Sequence, residues 1–168
     1  GIRVDLSPEK APWTTELGDI FAPIIEDVST RSGFARLGAS VIRFSGPVNN
    51  GPVDPTASLE NNDIIWLDLS VDPPERVAFT SSLGEDQDQL ILKPMKPMRS
   101  NAQQAVFITN SFLDLDGSCI APAPLIASII EGTAEPEFDT LSERFHSAIE
   151  ASGIAAETIS HMQVFTTQ

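Results

Sequence analysis

The sequence predicts a mainly β domain, and three observations carry that prediction. Short apolar runs with period-two alternation recur through the middle of the chain. Seven of the 13 prolines fall between Pro47 and Pro97, in the same stretch as the clearest of those runs, where they act as turn punctuation. The 3.6-residue period of an amphipathic helix shows plainly only towards the C-terminus. At 168 residues and 41% apolar composition, the chain has the length of one ordinary domain and enough apolar mass for a single core. No internal repeat or low-complexity linker divides it, so residues 36–168 read as the domain and residues 1–35 as an N-terminal extension packed across it.

The strands follow in order. Residues 40–45 read Ser-Val-Ile-Arg-Phe-Ser, and residues 63–71 alternate Ile64, Trp66 and Asp68 against Ile65, Leu67 and Leu69. Residues 76–81 carry Val77 and Phe79 on one face, and residues 89–93 carry Leu90 and Leu92 with Ile91 opposite. Residues 104–109 set Val106 and Ile108 against Ala105 and Phe107. A sixth strand closes the chain, with Met162, Val164 and Thr166 opposite His161, Gln163 and Phe165. The main helix is written by Phe138, Leu141, Phe145, Ala148 and Ile149, spaced by threes and fours, with Gly153 as a left-handed cap. Pro136 suits its start, and Glu135, Glu137 and Asp139 complement the positive end of its dipole. Shorter helical pieces are predicted over residues 124–131 and 155–160. Residues 15–28 have a mixed apolar pattern interrupted by Pro23, which predicts two turns or an irregular cover.

Charge and composition narrow the function. The net charge is −14, and beyond residue 100 nine acids face Arg144 alone, which opposes any phosphate-tracking surface; nucleic acid is not an expected partner. No apolar run approaches the roughly 18 residues of a membrane helix. Cys119 is the single cysteine, so no internal disulfide forms, and two histidines without a cysteine partner do not make a common zinc framework. The chain starts at Gly1 with no charged-then-apolar leader, and the expectation is a trimmed chain whose targeting segment has been removed.

A search for reactive groups returns little. The nearest approach to a Gly-x-Ser-x-Gly elbow is Gly38-Ala39-Ser40-Val41-Ile42, which lacks the second glycine. His146 and His161 follow Ser40 in a permissible triad order, but His146 falls on the polar side of the helical stripe. Asp114-Leu115-Asp116-Gly117 resembles the middle of a calcium loop, yet Phe112 and Ala123 stand where further oxygen ligands belong. A turn, with aspartate bonding its own backbone and glycine taking positive φ, explains the same residues; a calcium site at Asp114 and Asp116 completed by another loop is the alternative. Lys93, Lys96 and Arg99, interleaved with Pro94 and Pro97, form a basic strip that reads as an exposed strand exit, or as a docking edge for an acidic partner. Trp66 reads as core, while Trp13, among prolines and polar residues, is a candidate sugar-stacking platform. Cys119 has no cation near it in sequence to stabilise a thiolate. No catalytic residue and no cofactor is expected within this chain.

The order of these pieces is more specific than any one of them. Gly33-Phe34 is followed by Val41-Ile42-Arg43-Phe44-Ser45-Gly46-Pro47, residues 54–59, the strand at 63–71, Leu90 to Pro94 with Pro97, residues 104–109, Asp114 to Gly117, and a closing Phe165-Thr166-Thr167-Gln168. This succession resembles the bacterial Ig-like module found near the N-terminus of large secreted or surface proteins, notably extracellular lipase-like proteins of the α/β-hydrolase type. The apolar-x-Phe-Ser-x-Pro-Val phrase, the Pro-x-x-Pro stretch and the Asp-x-x-Gly turn carry the resemblance, which covers residues 33–168 and, more loosely, residues 1–6. Val106 and Phe107 stand where that module usually has a tyrosine, and this chain has no tyrosine at all.

The resemblance implies an Ig-like antiparallel β-sandwich with one or two short helices near the C-terminus. It also implies a non-catalytic accessory role beside a downstream, hydrolase-like domain of the same polypeptide, outside the cell or at a bacterial cell surface. The alternative is an adhesion module for a glycan or cell-surface ligand, with Trp13 as the binding residue.

Overall fold

The structure is a computed structural model that describes residues 35–168. Residues 1–34, and with them Trp13, the segment 15–28 and nearly all of the expected extension, lie outside the described residues. Seven strands form two antiparallel sheets. The first has the order β1–β5–β4, built from β1 (Ser40–Arg43), β5 (Gln89–Pro94) and β4 (Phe79–Leu83). The second has the order β3–β2–β6–β7, built from β3 (Glu75–Arg76), β2 (Ile64–Asp68), β6 (Gln103–Thr109) and β7 (Ile159–Thr166). A four-residue helix α1 (Pro55–Ser58) precedes β2, while α2 (Pro124–Ile130) and α3 (Asp139–Ser152) come late in the chain.

Two apolar cores lie on opposite faces of the four-stranded sheet. On one face Ile64, Trp66, Val106, Ile108 and Phe165 meet Ile42, Phe79, Leu90 and Leu92 of the three-stranded sheet. On the other, Ile65, Leu67, Ala105, Phe107, Ile159 and Met162 meet Ile126 and Ile129 of α2 and Phe145 and Ala148 of α3. The period-two alternation thus sends successive side chains into different cores, and all five residues of β2 are buried. Each large apolar side chain so enclosed contributes about 1.5–3 kcal/mol.

The predicted helix is present and ends at Gly153, whose φ of +67° is the left-handed cap; its start is preceded by a 3-10 turn, Pro136–Phe138. Two other expectations are corrected. Residues 76–81 are not one strand: Arg76 ends β3 in one sheet and Phe79 opens β4 in the other. The chain leaves the four-stranded sheet when Val77 N–H donates to Trp66 O at 2.9 Å and enters the three-stranded sheet when Phe79 N–H donates to Ser58 Oγ at 3.0 Å, so α1 caps the crossing. Residues 155–160 form only a 3-10 turn, Ala156–Thr158, because Ile159 is already needed opposite Thr109 in the sheet.

Trp66 is the hub of the inter-sheet core. Its ring packs tilted on Phe79 (6.2 Å) and edge-on to Phe165 (6.1 Å), and its Nε1–H donates to the fully buried Gln104 Oε1 at 3.2 Å. Gly51 passes so close that a Cβ there would lie 2.3 Å from Ile64 Cδ1 and 3.0 Å from Ser81 Oγ, so any side chain at this position has to displace the Ile64 methyl. At the end of β2, the buried Asp68 accepts from Ser70 N–H at 2.9 Å and from the Ser70 hydroxyl, and pairs with Arg99 Nη1 at 3.1 Å. Arg99 Nη2 also reaches Glu75 Oε2 at 2.8 Å. Burial alone works to raise the Asp68 pKa, but the Ser70 and Gln104 hydrogen bonds and the Arg99 charge outweigh it and hold the carboxyl below its ordinary value.

Two outcomes follow from this packing. Trp66→Phe strands Gln104 Oε1 and leaves space in the core, so chemical denaturation will show a loss of about 2–4 kcal/mol, part of which returns when Gln104→Met is added. For Asp68, the folded pKa lies below the unfolded one of about 3.9, so its stabilisation is present above that pH and is lost as pH falls through the folded pKa. Asp68→Asn will lower stability at neutral pH and flatten its acid dependence below about pH 4, as read from denaturation midpoints across a pH series.

Candidate functional site

A groove of about 830 Å³ lies at one end of the two stacked sheets. Its walls are the 43–48 segment that leaves β1, the turn at Asp114 to Asp116, the run from Cys119 to Pro124 that leads into α2, and the start of β7. Hydrogen bonds fix these pieces against one another. Val48 bridges Asp114, Asn49 N–H donates to Leu113 O at 3.2 Å, and Asn49 Nδ2 donates to Asp114 O at 2.7 Å.

Asp114 and Asp116 form the expected turn. Asp114 Oδ1 accepts from Asp116 N–H at 2.9 Å and from Ser118 N–H at 2.7 Å, and Gly117 takes φ +78°. Those bonds engage one of the two Asp114 carboxylate oxygens. Among the described residues no group of three or more His, Cys, Asp or Glu side chains is arranged to hold a metal ion.

Where β7 enters the groove, its pairing with β6 is irregular. The register runs from Ile108 opposite His161 to Thr109 opposite Ile159, which leaves Ser160 as an extra residue in a bulge. Ser160 is buried, and neither its Oγ nor the Nε2 of His161 has a hydrogen-bond partner. Burial pushes the His161 pKa down, so the ring is neutral near pH 7. Phe44 lies half-buried on the opposite wall, its ring 6.0 Å from that of Phe112.

The other candidate reactive groups are placed elsewhere. Ser40 Oγ donates to Gln163 Oε1 at 2.5 Å, and Gln163 Nε2 donates to Val41 O at 3.1 Å, so this serine ties the edge of β1 to β7. His146 is exposed on α3, and its Nε2 lies 2.8 Å from Ile129 O at the end of α2. The structure does not join Ser40 to either imidazole by a hydrogen bond. Cys119 is exposed at the groove's edge. Lys93, Lys96 and Arg99 are all exposed, but Arg99 is engaged by Asp68 and Glu75, so the basic strip is not three equivalent cations. A second hollow of about 340 Å³, between β1, β7 and α3, is lined by apolar residues with Ser40 and Gln163 and holds no titratable side chain. Sequence reasoning missed Ser160 and Arg43 as groove residues. A bulge has no residue signature of its own, and Ser160 stood inside a segment expected to be helical.

The buried ring sets a pH dependence. With the folded pKa of His161 below the unfolded value of about 6.5, the unfolded chain takes up the proton first, and stability falls as pH drops from about 6.5 towards the folded pKa. His161→Gln will flatten that part of the curve, measured by urea denaturation between about pH 7.5 and about pH 4.5.

No helix among the described residues is long and apolar enough to cross a membrane. Neither a protein-family model nor a curated protein sequence matches the chain.

Proposed function

We propose that the chain is a non-catalytic, Ig-like accessory module of an extracellular bacterial protein, and that it positions or stabilises a downstream, hydrolase-like domain of the same polypeptide. One observation carries the reading: the serine and the helix histidine that could have formed a reactive centre are both used as structural fasteners. The Ser40 hydroxyl is given to Gln163, and His146 meets a backbone carbonyl. A nucleophilic serine needs a base within hydrogen-bond reach, and Ser40 instead donates to a neutral amide oxygen. The two stacked antiparallel sheets suit a scaffold, and the reading requires no cofactor. The net charge of −14 suits a protein that stays dispersed in solution and gives no hold on nucleic acid.

The test pairs two measurements. The purified chain is assayed against a panel of short-chain p-nitrophenyl esters, and the natural polypeptide is compared with and without residues 1–168 for the thermal midpoint and activity of whatever follows Gln168. The expected result is no turnover by the chain alone and a lowered midpoint for the remainder without it. Ester turnover abolished by Ser40→Ala, or a remainder unaffected by the deletion, overturns the reading.

A further inference from the structure

We propose that the groove between the 43–48 segment and the Asp114 turn binds a neutral, hydroxyl-rich ligand, a sugar residue of a glycan. This goes beyond the accessory role and does not depend on it. The first support is Ser160, a residue of the groove's lining that is 3% exposed and whose hydroxyl has no partner. A buried hydroxyl left unpaired is costly, and native folds retain few of them without a use. The β6–β7 bulge is what places it there, since in regular pairing Ser160 would stand opposite Thr109. The second support is the adjacent His161, also a lining residue, whose Nε2 is likewise unpartnered.

The rim decides the charge of the ligand. Arg43 and Asp116 line the same groove, both are exposed, and neither makes a side-chain hydrogen bond or ion pair among the described residues. A charged ligand would be opposed by one of them, whereas a neutral one uses the guanidinium as donor and the carboxylate as acceptor. The walls decide its shape. Phe44, with Pro47 and Ile120, offers apolar surface for a C–H face, and about 830 Å³ falls within the range of small-ligand sites. The backbone argues against an extended peptide. The N–H groups of Phe44, Val48 and Asp114 already donate to Asp88 O, Gln87 O and Ser118 O, so these three positions offer no donor to an added strand. The groups left to bind are side-chain donors and acceptors, which match a ligand dense in hydroxyls.

The experiment is an amide-NMR titration of the whole chain with methyl glycosides of glucose, galactose, mannose and N-acetylglucosamine, with a proline-rich peptide as a separate arm. At least one glycoside is expected to give saturable shifts confined to residues 43–48, 114–124 and 159–162. Ser160→Ala and Asp116→Ala should each weaken it by about tenfold. Ser160→Ala should also raise the thermal midpoint, because it removes an unpaired buried hydroxyl; if that variant does not fold, the rim variant Asp116→Ala carries the test. Saturation by none of the sugars, shifts that map elsewhere, affinity unchanged in Asp116→Ala, or saturation by the peptide alone overturns the proposal.

Discussion

The structure depends on one constraint: the four-stranded sheet is covered on both faces. A sheet with a wet face writes itself as apolar residues alternating with polar ones, but β2 has Ile64, Ile65, Trp66 and Leu67 in succession because there is no wet face to serve. Everything else is arranged to supply the two covers. The three-stranded sheet brings Phe79, Leu90 and Leu92 to one side, and α2 and α3 bring Ile126, Ile129 and Phe145 to the other. Without either cover, a row of large side chains in β2, β6 and β7 would face water, at a cost of about 25 cal/mol for each Å² uncovered.

The polar fittings follow from the same arrangement. A backbone that passes between two sheets must leave one hydrogen-bonded ladder before it joins the next, and Ser58 bridges that gap for Phe79. A tryptophan placed in a dry core brings an N–H that needs an acceptor, and Gln104 provides it from the neighbouring strand. At the mouth of the core, Asp68 keeps its charge because Ser70 and Arg99 compensate for the water it has lost. The Ser58 hydroxyl, the Gln104 carbonyl and the Asp68 carboxylate each answer a need that their apolar surroundings create.

Much of this was legible in the residues. The opposed faces of Ile64 and Trp66 against Ile65 and Leu67, of Val106 and Ile108 against Ala105 and Phe107, and the helix closing at Gly153 could all be read from spacing. What could not be read was partnership. Val77 and Phe79 have the two-residue spacing of one strand, and nothing local reports that the chain changes sheets between them. The turn at Asp114 was legible because aspartate and glycine declare their backbone chemistry, whereas the groove it helps to form was not. That groove is made by segments far apart in sequence, and its deepest polar group, Ser160, owes its position to a pairing irregularity rather than to its neighbours in the chain. The order of motifs bears on connectivity, while the faces and their residues follow from periodicity, and the second was the more readable.

The last strand has a role out of proportion to its eight residues. It completes the β6 ladder, gives Phe165 to one core and Met162 to the other, and its Gln163 fastens β1 from the opposite end of the described chain. Completion of both apolar interiors therefore waits on β7, and without that strand both would be unfinished at once. Loop-closure entropy is met before its reward arrives. The two interiors are accordingly coupled: neither can be finished without the strand that serves both, so they gain their packing together.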